Sequence, residues 1–494
     1  MQSVASHSAA PRKTSTTRHL AFGATACALL CLAALANAAV KPNPLFSDNC
    51  VLQQGMKVPV WGTADDGEKV TVKLQDQEVS TTAKGGKWRV DLKNLKAGGP
   101  FEMTISGADT LTIKNVLVGE VWIASGQSNM QWTVSRSADP ETTIAQAANA
   151  RIRLLTVPRE ATDEPQDTAN VAWVECTPQS VPEFSAVAYH FGRALEAQLQ
   201  VPVGLINTSY GGTPAEAWTS REALEAVPSL KKMAKTSAAN GKAAQRPTGL
   251  YNAMIHPLVP YAIRGAIWYQ GESNAGRAYE YQTLFPTMID CWRKEWGQGD
   301  FPFLFVQLAP FHKIVEEPGP SEWAELREAQ RLTTKNVPNT AMAVITDVGD
   351  ENDIHPKQKA PVGERLALAA RALAYGEKIE YSGPTVAGVE IADNRITLSF
   401  DHAGSGLKTS DEGPLKGFAI AGKDNVFHRA TAEIQQDRVV VSSPDVAEPV
   451  AVRYGWADYP VVNLANREGL LASPFRTDEL PLTTMPKSEE AAGQ

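Results

Sequence analysis

The sequence predicts an α/β fold in which a doubly wound, mostly parallel sheet carries helices on both faces and is flanked by β-rich units at either end. Three observations carry that prediction. Between residues 116 and 380, short apolar runs alternate with longer amphipathic segments, the rhythm of strand and crossover helix. Over 39–115 and again over 381–482, the runs are short, alternate apolar with polar residues and are separated by turn residues. The chain of 494 residues also exceeds one ordinary core, so several domains are expected.

Taken in order, residues 1–38 read as a signal peptide. Arg12, Lys13 and Arg18 precede an apolar run at 20–35 that ends in Ala36-Asn37-Ala38, a small-residue cleavage site. A membrane anchor is the competing reading, but a span needs about 20 strongly apolar residues and this Ala-rich run falls short. A secreted or periplasmic protein without stable membrane insertion is therefore expected. Segments 57–61, 69–74, 88–92 and 101–106 then alternate as a small antiparallel β-sandwich would, punctuated by Asp65-Asp66-Gly67, Gly85-Gly86 and Gly98-Gly99.

In the middle unit, strands are expected at 121–124, 151–157, 203–207, 266–270, 303–308 and 341–346, and helices at 184–199, 279–296, 323–335 and 361–375. The first helix shows why: Phe184, Val187, Phe191, Leu195 and Leu199 fall on one face at spacings of three and four. Residues 223–249, rich in Lys, Ala and Asn, read as a surface insertion without a role. Short strands return at 385–391, 395–400, 418–420, 438–442 and 450–454, and 483–494 read as a disordered tail.

Charge and cysteines exclude some classes. Removing 1–38, with three positive and no negative charges, takes the formal charge from −8 to −11, which argues against a nucleic-acid partner. Cys50, Cys176 and Cys291 then remain, too few and too widely spaced for a disulfide framework or a metal site. They form either one bridge and one free thiol or three buried unpaired thiols. No cofactor is implied, and nothing in the sequence speaks to oligomeric state.

Ligands of an open α/β sheet bind beyond the carboxyl ends of its strands, so the residues after each strand are the candidates for chemistry. The first strand leads through Gly126 to Ser128, a candidate nucleophile set in what is otherwise ordinary turn chemistry. The strand at 203–207 leads to Thr208-Ser209-Tyr210-Gly211-Gly212-Thr213, and that at 266–270 to Gly271-Glu272-Ser273-Asn274. The strand at 341–346 leads into a loop from Asp347 to Pro356. Together they hold a nucleophile, donors, carboxylates and a histidine, the parts an acyl transfer requires.

His355 is the expected base, as the one histidine in these loops, with His312 its rival and His190 and His256 read as packing residues. Asp353, two positions earlier in an extended segment, would lie on the same side, and Asp350, Glu351 and Glu272 remain alternatives as the orienting acid. Glu272 could instead hold the loops through hydrogen bonds. Oxyanion donors are expected from the N–H groups of Ser128 and Gly212 and from the amide of Gln270 or Asn274, each worth about 3 kcal/mol of barrier.

With these residues in place the chain resembles the sialate O-acetylesterase family, a branch of the SGNH hydrolases that includes bacterial carbohydrate acetylesterases. The matching stretches are 45–49, 121–132, 207–218, 251–257, 267–274 and 353–356, and the pairing of Gly-Gln-Ser-Asn-Met-Gln-Trp with Trp-Tyr-Gln-Gly-Glu-Ser-Asn is specific. The resemblance implies a flavodoxin-like hydrolase domain, a Ser-His-Asp mechanism without metal, and removal of acetyl groups from sugar hydroxyls. It implies Ser128 as nucleophile, His355 as base and Asp353 as its partner. Here Asp-Ile-His has one intervening residue where many relatives have two, and Gln270-Gly271-Glu272-Ser273-Asn274 stands where a Gly-x-Asn-Asp block would be.

Acetylated sialic acid and acetylated plant-wall xylan or xyloglucan are the expected substrates. Arg136, Arg221 and Arg277 are near enough in sequence to serve a sugar carboxylate, and Trp132, Tyr210, Trp218 and Tyr269 to wall a sugar ring. The alternative is a non-catalytic carbohydrate-binding protein on a degenerate hydrolase scaffold.

Overall fold

The computed structural model describes residues 40–236 and 241–486, so the expected signal peptide at 1–38 lies outside them. Strands β1 (Lys41–Pro42), β2 (Val51–Gln53), β3 (Lys57–Thr63), β4 (Lys69–Leu74), β5 (Gln77–Thr82), β6 (Lys87–Lys93) and β7 (Gly98–Ser106) form the first strand-rich region. The alternation seen in sequence is that of a half-buried strand: in β4 Val70, Val72 and Leu74 are buried and Lys69 and Lys73 exposed.

The next strand, β8 (Thr110–Gly126), runs straight through the boundary expected at 115. Its first half pairs antiparallel with β7 and, at 117–119, parallel with β2. Its second half is the centre of a sheet ordered β10-β9-β11-β8-β12-β13-β14, with β9 (Asn149–Thr156), β10 (Val174–Cys176), β11 (Val203–Ser209), β12 (Gly265–Tyr269), β13 (Phe303–Val306) and β14 (Thr340–Ala343). All are parallel except β10, an antiparallel edge strand that three residues were too few to signal in sequence.

Helices cover both faces: α1 (Ser128–Gln131), α2 (Pro140–Ala145), α3 (Ala186–Leu199), α4 (Arg221–Ala226), α5 (Ala278–Trp296), α6 (Glu322–Asn336) and α7 (Ala360–Tyr375). Val121 and Ile123 point into a core shared with α5, α6 and the first strand-rich region, while Trp122 and Ala124 point into one shared with α3 and α7. A strand buried on both faces has no polar side to show, which is why 121–124 reads as an unbroken apolar run. Ser185 and Ser321 begin α3 and α6 by accepting the N–H groups of Ala188 and Ala324.

At the foot of the second half of β8 the apolar run gives way to Glu120, which is buried and fully engaged. Arg264 donates to it through Nε at 2.6 Å and a second nitrogen at 3.1 Å, Gln53 and Gln54 at 3.1 and 2.6 Å, and the Tyr375 hydroxyl at 3.1 Å. Gln53 also accepts the N–H of Val121 at 2.8 Å. One carboxylate thus ties the first region, the central strand, the approach to β12 and the end of α7.

Past α7 lie a sheet of Thr385–Ala392, Arg395–Asp401, Arg438–Ser442 and Thr431–Gln435, and another of Phe427–Arg429, Phe418–Ala421, Ala451–Tyr454 and Phe475–Arg476, with a shared apolar core. Two expectations need correction. The segment 223–249 is not merely superficial, since Leu224, Leu230, Met233 and Ala234 are buried in it. The tail expected to be disordered from 483 begins ordered: Thr483 and Thr484 donate through backbone and hydroxyl to the buried carboxylate of Glu325. Cys50, Cys176 and Cys291 are all buried and free. Among the described residues no helix is long and apolar enough to cross a membrane.

Removing Glu120 leaves Arg264 half-buried beside empty donors. Glu120→Ala is expected to cost about 3 kcal/mol in urea unfolding. Asp91→Ala, which breaks surface pairs with Lys57 at 3.9 Å and with Arg89 at 2.9 Å, should cost less than about 1 kcal/mol.

Candidate active site

The register of the sheet brings three strand ends level, with Gly126 between Ser209 of β11 and Tyr269 of β12. At Gly126 the chain turns with φ +134°, and a Cβ there would stand 2.2 Å from the Tyr269 carbonyl oxygen. Only glycine permits that approach. Gln127 N–H then donates to the Tyr269 carbonyl and Tyr210 N–H to that of Gly126, both at 3.0 Å. Ser128 follows as the first residue of α1, half-buried.

The β11 loop is held to α1 by Gly211 N–H, which donates to Gln131 Oε1 at 2.7 Å. Gly212 is exposed with φ +73° and open space where a side chain would be, and Gln245, from the supposed insertion, donates to its carbonyl at 2.9 Å. The N–H groups of Ser128, as a helix N-terminus, and of Gly212 are thereby left free among the described residues.

The loop after β14 is built by its own carboxylates. Asp347 forms a bidentate pair with Arg365, Asp350 accepts the N–H groups of Asn352 and Asp353, and Glu351 accepts that of Ile314 at 2.8 Å. Asp353 Oδ1 accepts His355 N–H at 2.9 Å and lies 3.4 Å from His355 Nδ1. The imidazole stacks on Trp132, centroids 4.8 Å apart at 18°, and the Ile354 carbonyl accepts from Asn129 Nδ2 at 3.0 Å. The loop is thus docked on the helix that Ser128 begins. Burial holds the His355 imidazole below its ordinary pKa; Lys359 and Arg136 push the same way and Asp353 opposes them.

The rival histidines lie elsewhere. His312 is exposed against Phe311 and Trp323, His190 is buried in α3 with its pKa pushed down to about 4, and His256 Nδ1 is bonded to the Gln166 carbonyl.

Other expectations change. Gln270 is fully buried and its amide nitrogen serves Asn274 Oδ1 at 2.7 Å and the Thr213 carbonyl at 3.3 Å, so both hydrogens are spent and it is no oxyanion donor. Asn274 Oδ1 also accepts Ala215 N–H, and its Nδ2 donates to Glu216 at 3.1 Å. Trp218 and Tyr269 are core residues at 0 % exposure, and Trp132 lies under His355 rather than along an open wall. Of the three cations, Arg277 is paired with Glu216 and Glu280 and Arg221 donates to the Ala234 carbonyl, whereas Arg136 is exposed, 3.9 Å over the Trp132 ring. Among the described residues no cluster of His, Cys, Asp or Glu is placed to hold a metal ion.

One group passed unnoticed in sequence. Asn129 Nδ2 donates to Glu272 Oε1 at 2.6 Å as well as to Ile354, and its Oδ1 accepts from Lys359 at 2.5 Å. Lys359 caps α7, where the helix dipole disfavours a cation, and that misfit was the available signal.

Known proteins match this architecture along most of its length. A crystal structure of a carbohydrate acetylesterase from Xanthomonas citri superposes with a TM-score of 0.84 at 41 % identity, over 89 % of this chain and all of that one. Human sialate O-acetylesterase is 36 % identical over 380 residues, covering 69 % of this chain and 72 % of its own. The mouse enzyme is 34 % identical over 406 residues, covering 69 % and 75 %. These matches make the chain a carboxylic ester hydrolase acting on acetylated carbohydrate, which sets aside the non-catalytic alternative. Within that class, the chain belongs to the carbohydrate esterases described as sialic acid-specific acetylesterases, whose family model matches residues 118–372.

Gly126→Ala is expected to lower the thermal midpoint, at a cost of about 1–3 kcal/mol, and to cut acetyl-ester turnover, because the turn that presents Ser128 cannot close.

Proposed function

We propose that this is an exported serine esterase that removes O-acetyl groups from sugars, with Ser128 as nucleophile, His355 as base and Asp353 as orienting acid. The observation that carries the reading is the docking of the Asp353–His355 loop on the Ser128 helix through Asn129 and Trp132. Ser128 Oγ attacks the acetyl carbonyl while His355 takes its proton, and Asp353 steadies Nδ1 of the imidazolium. The N–H groups of Ser128 and Gly212 face the oxyanion, with the remaining Asn274 hydrogen as third candidate. The sugar hydroxyl leaves with the proton, and water, activated by His355, releases acetate. A depressed imidazole pKa keeps the base neutral and competent at neutral pH.

The scaffold in this reading is a flavodoxin-like SGNH hydrolase domain over 116–380, flanked by sandwich-like units over 39–115 and 381–482. Cleavage after Ala38 would release it to the periplasm or outside the cell; the basic residues before the apolar run support export. Ser128→Ala should reduce acetate release by at least about 10³-fold with an unchanged thermal midpoint. Unchanged turnover in that variant would sink the assignment.

Acetylated sialic acid, xylan and xyloglucan are the substrates to compare. The exposed Arg136 guanidinium, without an acid partner among the described residues, favours a sugar bearing a carboxylate. Arg136→Ala should lower kcat/KM on acetylated sialic acid by about 10-fold or more while sparing neutral polysaccharide, the difference a lost charged hydrogen bond makes. Equal effects on both would remove Arg136 from recognition.

A further inference from the structure

Lys359 is 1 % exposed, its ammonium 5.8 Å from the Trp132 ring and 5.5 Å from that of Tyr269. Its hydrogen bond goes to Asn129, the residue after the nucleophile. All of that amide is in use: Oδ1 takes Lys359, and Nδ2 gives to Glu272 and to the Ile354 carbonyl. An ammonium is donor only and a carboxylate acceptor only, so the pair permits one orientation of the amide between them. A flipped Asn129 would set donors against Lys359 and an oxygen against both Glu272 and Ile354. Glu272 keeps some exposure, yet its Oε2 is shut off from solvent and has no hydrogen-bond partner. Burial pushes the Glu272 carboxyl up, and its own backbone N–H, the Asn129 amide and the charge of Lys359 oppose that rise.

We infer that Lys359 is a positioning residue for the hydrolysis, its ammonium fixing the Asn129 amide that holds the Ile354 carbonyl and, through it, the His355 ring on Trp132. The inference rests on the reading of His355 as base. Two consequences separate it from a purely structural role. The ammonium lies beside the imidazole's stacking partner, so it disfavours a second positive charge on His355 and keeps the base neutral. The charged groups around the pair are Glu272 and Asp353, which hold the charge on Lys359 against burial, while at His355 Asp353 opposes the lysine's effect and Arg136 reinforces it. Burial pushes Lys359 down to about 7, so the ammonium is present below that pH and lost as pH rises through it. Rising pH should therefore release the Asn129 amide and produce an alkaline limb.

The test is a set of pH profiles for acetate release. Lys359→Met/Glu272→Gln removes both charges together and leaves no unpaired ion. Its kcat should fall about 10-fold or more with KM within about threefold, as for loss of alignment rather than of binding. Its acid limb should rise toward the ordinary imidazole value. Glu272→Gln alone keeps the ammonium but removes its partner, so Lys359 gives up its proton more easily and the alkaline limb should move to lower pH. Wild-type kcat and acid limb in the double variant would overturn the inference, as would an unmoved alkaline limb in Glu272→Gln. Should the double variant fail to fold, the Glu272→Gln limb decides alone. Retained turnover in His355→Asn would instead remove the base assignment, whatever the lysine variants do.

Discussion

Because β8 pairs with the first strand-rich region over 110–119 and with the parallel sheet over 120–126, it cannot shift without breaking its ladders with both. A one-residue slip would also exchange its two buried faces, moving Val121 and Ile123 into the core that Trp122 and Ala124 fill. Glu120 fixes the second half of the strand at one end and Gly126 at the other. The position of Ser128 is the outcome of that double constraint, since only Gln127 separates the turn at Gly126 from the helix that Ser128 begins.

The two ends of the second half of β8 use charge in different ways. At the foot, Glu120 takes five hydrogen bonds and leaves nothing unmet. At the site, an amide separates Lys359 from Glu272 and one carboxylate oxygen stays unpaired. Buried ion pairs contribute little net stability when their partners are complete, and their common use is to select one arrangement. An arrangement with an unmet oxygen costs stability, and such costs concentrate where chemistry is done.

Sequence made the middle of the chain legible because its strands and helices obey the two periods that burial imposes. The helix expected at 279–296 is found at Ala278–Trp296, and that at 361–375 at Ala360–Tyr375. What sequence hid depended on tertiary neighbours. Nothing in Gln270 reveals that Thr213 and Asn274 consume its amide, and nothing in 223–249 reveals that Gln245 reaches Gly212. The continuity of β8 was hidden for another reason: the change of rhythm sets a boundary at 115, although the strand continues past it. Ser128, His355 and Asp353 could be chosen because strand ends are where a parallel sheet leaves polar groups, whereas Asn129 and Lys359 are polar groups that the fold buries.

The free thiols bear on how such a protein can be made and kept. Burial raises Cys50 and Cys176 to about 12 and Cys291 to about 11, so at neutral pH almost none of the three is thiolate. Neither oxidants nor disulfide exchange finds a nucleophile there, and no bond in the described fold waits on an oxidising partner. Once folded, the chain should therefore keep the same structure in reducing and oxidising surroundings alike.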